Sequence, residues 1–187
     1  MTSSHASIAA SPWVQRWSHL APAGAHVLDV ACGSGRHVRW FVARGAKVTA
    51  IDRDAAALAP LRSTAGGTVD VIEADIENAP WPLAGQRFDA VIVTNYLWRA
   101  LWPTLVASVA EGGALICETF ARGNETVGRP SNPDFLLAPG ELLAVAAGLR
   151  VVAYEDGFIE SAPLRFVQRI AAVRERAGRA APARYPL

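Results

Sequence analysis

One short segment limits the fold more than any other: Val27–His37, VLDVACGSGRH. An apolar run enters a turn built from Cys32, Gly33, Ser34 and Gly35, and a carboxylate, Asp29, stands inside the run. An apolar, β-branched run that ends in glycines and leads into a helix-forming segment is the opening of a parallel α/β unit. The glycines remove side chains, so a ligand can press against the backbone. The turn also sets backbone N–H groups and a helix start at the mouth of the sheet.

The rest of the chain repeats the alternation. Residues 26–31, 47–52, 69–75, 88–95 and 113–120 read as strands, rich in Val and Ile and bounded by Gly, Asp or Asn. Their near-continuous apolar character suits parallel strands covered on both faces. Helices are expected over 36–44, stopped by Gly45, and over 54–62, with Asp54 as N-cap. A third, over 97–110, places Leu97, Leu101, Leu105 and Val109 on one face and is expected to break at Pro103. Further helices fit 11–20, with Pro12 at the start, and 138–148, between Pro139 and Gly148. Residues 149–158 and 163–175 follow with nothing helical between them and read as an antiparallel closing hairpin. The expectation is a doubly wound α/β domain over residues 1–175: a mostly parallel seven-stranded sheet, an antiparallel C-terminal hairpin and helices on both faces. Residues 176–187, rich in Ala, Arg and Pro, read as a loose tail.

Composition narrows the function. The 187 residues are 51% hydrophobic and 19% charged, with a net charge of +1, so the total carries no electrostatic footprint for nucleic acid. Lys47 is the only lysine and opens a strand, which leaves no second candidate for Schiff-base chemistry. Cys32 and Cys117 lie far apart in apolar surroundings, and no Cys/His cluster has metal spacing. A reduced, cytoplasmic location is expected, with no metal, no signal peptide at the start and no membrane span.

Details of the turn separate the nucleotide-binding possibilities. A P-loop is missing. A dinucleotide fingerprint wants a small residue where Val38 stands, and Asp29 would repel a pyrophosphate. A carboxylate there suits a cationic ligand instead. At this point VLDVACGSGRH resembles the first motif of the class I S-adenosylmethionine-dependent methyltransferases. AIDRD (50–54) is similar to the end of their second strand, EADIENAPWP (73–82) to the segment after the third, FDAVIVTNYL (88–97) to the fourth strand and EGGALICETF (111–120) to the fifth with its Gly-Gly turn. The resemblance implies a Rossmann-like fold and S-adenosyl-L-methionine as cofactor. It places the cofactor on Asp29, Ala31, Gly33, Ser34, Gly35, Asp52, Arg53, Asp75, Ile76 and Thr94. In that placement Asp52 holds the ribose hydroxyls and Asp75 the adenine amino group, with Ile76 beside the ring. The residues agree independently: a carboxylate accepts two O–H donors well, and Asp52 lies 19 residues after Gly33, near the spacing of a ribose acid.

Methyl transfer is an in-line displacement, so the protein has to position the acceptor and exclude water. Acceptor residues are expected at the ends of strands four and five. The candidates are Asn95, Tyr96 and Arg99 for positioning, and Glu118, Arg129 and Asn132 around a long polar loop over 122–137. Each also has a plain structural reading: a strand-end cap for Asn95, packing for Tyr96, a solvated or paired charge for Arg99 and Glu118. His37 reads either as a cofactor contact or as a solvated helix-start residue. The small size resembles the compact tellurite-resistance and thiopurine-type methyltransferases, which points to a small-molecule acceptor. Three other readings stay open. The chain could methylate a protein or RNA, using Arg174, Arg176, Arg179 and Arg184 as a handle. It could be a silent cofactor-binding partner with a tryptophan patch of Trp13, Trp17, Trp98 and Trp102. It could be a nicotinamide oxidoreductase, against which Val38 and Asp29 speak.

Overall fold

The computed structural model describes residues 9–63, 67–178 and 183–187. Its strands are β1 (His26–Val30), β2 (Lys47–Asp52), β3 (Val69–Glu73), β4 (Phe88–Thr94), β5 (Val109–Phe120), β6 (Arg150–Ile159) and β7 (Arg165–Val173). They form one sheet in the order β3-β2-β1-β4-β5-β7-β6. The first five run parallel, and β7 is antiparallel to both β5 and β6. The helices are α1 (Pro12–Trp17), α2 (Arg36–Val42), α3 (Ala55–Arg62), α4 (Trp102–Ala107) and α5 (Glu141–Val145).

Alternation along the strands builds two cores. Leu28, Val30, Val91, Val93, Leu115 and Cys117 face Leu105 of α4 and Leu142 of α5. Val27, Val48, Ile92 and Ile116 face Trp13 and Trp17 of α1, Phe41 of α2 and Leu58 of α3. The mostly parallel sheet with helices on both faces follows from strands that are apolar on both sides. Of the four tryptophans of the expected patch, Trp13, Trp17 and Trp102 are buried packing residues, and Trp98 is exposed.

Several boundaries move. β5 begins at Val109 and not at residue 113, because Gly112 and Gly113 form an irregularity inside the strand, where its register with β4 shifts between Phe88 and Ala90. A Cβ on Gly113 would lie 2.9 Å from the Phe88 carbonyl oxygen, so only glycine fits there. The helix expected over 97–110 is a 3-10 turn, Arg99–Leu101, followed by α4. Pro103 stands in the first turn of α4, where a missing N–H loses no intrahelical bond. The helix expected over 138–148 shrinks to α5, entered through Gly140 at φ +74°. At the C-terminal end, residues 179–182, and Arg179 with them, lie outside the described residues. Tyr185 stacks on Arg150, 5.8 Å from ring centre to guanidinium carbon. Arg174 donates to the carbonyls of Val106 and Val109, a structural use of a residue expected as a nucleic-acid handle.

The strand order reverses between β1 and β4, and ligands in open α/β sheets bind at that switch. The residues just past both strands are the two non-glycines with left-handed backbone among the described residues: Ala31 at φ 51° and Asn95 at φ 54°. Such strain collects at functional sites.

Candidate active site

The glycine turn and the two following acids form one unit. Gly33 N–H donates to Asp52 Oδ2 at 2.7 Å, and Asp54 N–H donates to Asp52 Oδ1 at 2.9 Å. Each carboxylate oxygen keeps a free lone pair for a hydroxyl donor. Asp54 caps α3, accepting from Ala56 N–H and Ala57 N–H. That frees Asp52 from the capping role. Gly33 sits at φ +53° with nothing within 4 Å of a Cβ position, so its open side faces space. Gly35 is glycine for a different reason: at φ +79°, a Cβ would lie 2.5 Å from Leu61 Cδ2. Ser34 is exposed at the tip of the turn and its carbonyl accepts from Arg39.

Asp29 is 1% exposed on the α1/α2 side of β1, and neither carboxylate oxygen has a hydrogen-bond partner. An unpartnered buried carboxylate is costly, and burial pushes its pKa up to about 7 against the pull of Arg36. His37 is equally buried, which corrects the solvated helix-start reading. Its Nε2 accepts from Ser11 N–H at 3.2 Å, so the neutral ring carries its proton on Nδ1, 3.5 Å from Thr94 Oγ1 and 3.9 Å from Asp29 Oδ1. Burial, then Arg36, lowers the His37 pKa to about 3. The imidazole is therefore neutral and does not compensate Asp29. Arg36 reaches Thr94 Oγ1 at 3.5 Å. Thus Asp29, Arg36, His37 and Thr94 make a polar cluster beneath the turn, with a carboxylate still open to a cationic partner.

Two cavities flank the carboxyl ends of the strands. A cleft of about 120 Å³ runs past Ala31, Asp52, Arg53, Asp75 and Ile76. A second of about 260 Å³ carries the polar groups of Glu77, Asn95 and Thr119. Its apolar surface comes from Tyr96, Leu97, Phe120, Pro130 and Phe135. Glu77 and Tyr96 line both cavities and form their common wall. The smaller cleft gathers the residues expected at the ribose and adenine. Asp75 also holds its own turn, accepting from the N–H groups of Glu77 and Asn78 and from the Asn78 side chain. These bonds, that from the Asn78 side chain above all, hold its carboxyl below the usual range.

The acceptor candidates divide. Asn95 and Tyr96 line the larger cavity. Burial, then the charge of Glu77, pushes the Tyr96 phenol well above its usual pKa, so it stays protonated and is no base. Its buried hydroxyl lies beside Glu77 without a well-formed hydrogen bond. Arg99 lines neither cavity: it donates to the carbonyls of Asp134 and Leu136 and pairs with Glu141 at 2.8 Å. It clasps the 122–137 loop to α5. Glu118 is buried away from both cavities, accepting from Ser11 Oγ at 3.0 Å and meeting Arg169 Nε at 2.5 Å. Arg129 is exposed, and Asn132 caps the Pro133–Phe135 turn by accepting from Asp134 N–H. Sequence reading missed Arg36, His37 as a buried member of the cluster, and Glu77. Only the position of Glu77, two residues beyond Asp75, could have drawn notice. Burial also raises the pKa of Cys32 and Cys117, which are inert thiols.

Comparison with known proteins follows this geometry. A family model described as "Methyltransferase domain" matches residues 27–112, from β1 to the start of β5. A ubiquinone biosynthesis O-methyltransferase of Xanthomonas axonopodis pv. citri is 37% identical over 113 residues, 56% of this chain and 47% of that one. The chain spans about half or less of the length of the curated relatives it matches. Among solved structures, TehB from Haemophilus influenzae superposes with a TM-score of 0.70 at 19% identity, covering 87% of this chain and 61% of that one. The glycopeptide N-methyltransferase MtfA, complexed with sinefungin, superposes at 0.60 with 18% identity over 87% of this chain and 92% of that one. The glycine turn, the acid at the end of β2 and the sheet order agree with these likenesses: residues 27–112 match a methyltransferase domain, and the chain has the fold of these solved methyltransferases.

Proposed function

We propose that the chain transfers a methyl group from S-adenosylmethionine to a small-molecule acceptor. The observation that carries this reading is the pair of neighbouring cavities, one acidic and next to the glycine turn, the other largely apolar, with Tyr96 and Glu77 in the lining of both. The cofactor supplies a methyl carbon already activated by its sulfonium. The chain supplies place and environment. Asp52 accepts hydroxyl donors while fixed by Gly33 and Asp54. The open face of Gly33 admits the ligand to the backbone, and Asp29, buried beneath the turn and outside the lining of both cavities, loses its proton more readily once a positive charge is placed above it. Asn95, Tyr96 and Phe120 line the half-open, largely apolar space in which the acceptor is positioned.

The size of the larger cavity favours a small molecule over a protein or RNA segment, and Arg174 is engaged with the backbone of β5 and α4. The name of the ubiquinone-biosynthesis relatives points the same way. No helix among the described residues is long and apolar enough to cross a membrane. Together with two unpaired, buried cysteines, this suits a reducing cytoplasm. The test is a labelled-methyl assay on cell extract separated by molecular size. Label should enter the low-molecular-mass fraction. Label in protein or RNA alone would favour a macromolecular acceptor, and cofactor binding without transfer would favour a silent partner.

A further inference from the structure

We infer that the larger cavity selects a compact, apolar acceptor that carries an amine, held as its ammonium by Glu77, and rejects acceptors that carry a carboxylate. This rests on the reading of the cavity as the acceptor site. Among the described residues, Glu77 is the only charged side chain lining that cavity. Its side chain makes no ion pair with any described residue. Its backbone is fixed, since Glu77 N–H donates to Asp75 Oδ1 at 3.1 Å. The backbone thus anchors Glu77 at the cavity wall, and its carboxylate is in no ion pair with a described residue.

No basic group offsets it from the acceptor side. Arg99 is held by Glu141 and two loop carbonyls. Arg129 precedes the lining residue Pro130, yet it is exposed and outside the lining. Arg53 shares the smaller cleft with Glu77, together with Asp52 and Asp75, and is not in the lining of the larger cavity. An anionic acceptor would thus meet a negative charge that no basic side chain in the lining of the larger cavity offsets, whereas an ammonium would complete a charge-assisted hydrogen bond. The remaining surface, Leu97, Phe120, Pro130 and Phe135, offers apolar and aromatic faces to the body of the molecule. Tyr96 adds a ring face, on which a cation is attracted. Asn95 and Thr119 are neutral and accept or donate equally, so they do not reverse the preference.

Three isosteric probes test this: 3-phenylpropylamine, 3-phenylpropanol and 3-phenylpropionate, titrated into the full chain with and without saturating S-adenosylhomocysteine. The amine should bind at least about tenfold more tightly than the carboxylate, with the alcohol between them. In Glu77→Gln that ratio should fall to about twofold or less. In Phe120→Ala all three probes should weaken together while the ratio persists. Equal binding of amine and carboxylate, a preference that survives Glu77→Gln, or failure of every probe to bind would overturn the inference. The underlying reading fails separately. If the amine preference holds but S-adenosylhomocysteine does not bind, the pocket's selectivity stands and methyl transfer falls.

Discussion

Asp29 shows how one residue sets conflicting demands. Burial lifts its pKa from 3.8 to about 7, so between about pH 4 and pH 7 the folded chain keeps a proton that the unfolded chain has lost. The contribution of this group to stability falls as pH rises through that window. His37 works in the opposite sense. Lowered from 6.5 to about 3, it leaves the unfolded chain holding the extra proton, and stability rises as pH climbs from about 3 to 6.5. Asp29→Asn removes the first slope and keeps the second. The Tm of the variant relative to the parent should therefore grow from about pH 4 to pH 7 and level off above, as thermal melts across pH would show. A constant offset would mean that Asp29 is not buried as a free acid. The two glycines of the turn separate binding from packing. Gly33→Ala adds a methyl to open space at positive φ and should cost about 1 kcal/mol in urea unfolding, yet weaken S-adenosylhomocysteine binding about tenfold or more. Gly35→Ala must also displace Leu61 and should cost about 2 kcal/mol or more.

At the scale of elements, the 122–137 loop is held from below. Arg99, in the 3-10 turn after β4, ties the carbonyls of Asp134 and Leu136 to Glu141 of α5. Arg99→Ala should cost only about 1 kcal/mol overall, since the pair is partly exposed. The same change should make the loop the first site of limited proteolysis and leave cofactor affinity unchanged. Cleavage elsewhere, or loss of cofactor binding, would place Arg99 in the site itself. The strands were legible because their apolar runs and bounding glycines are local. So were Asp29, the glycine turn and Asp52, which lie within 24 residues of one another. Boundaries shifted where tertiary packing overrode local pattern, as at Gly112 and Gly113, which bend β5 and do not end it. Glu118 and His37 could not be placed from sequence, because both are joined by Ser11, which lies 107 and 26 residues away along the chain. Glu77 belongs to a wall that exists only once the segment after β3 meets the end of β4.

The whole molecule is a switch-point sheet whose two strained residues, Ala31 and Asn95, stand just past β1 and β4, where the strand order reverses. Ala31 borders the smaller cleft and Asn95 the larger. In the proposed function that division separates the donor, in the smaller cleft, from the acceptor, in the larger cavity, with Tyr96 and Glu77 shared by the two linings. The central claim is that the acidic cleft beside the glycine turn is the cofactor site. Calorimetric titration with S-adenosylmethionine and S-adenosylhomocysteine, with NAD and Asp52→Ala as controls, tests it most directly. The account predicts binding of the first two, no binding of NAD, and at least about a tenfold loss in the variant. Binding of NAD, or S-adenosylmethionine affinity unchanged by Asp52→Ala, would contradict it.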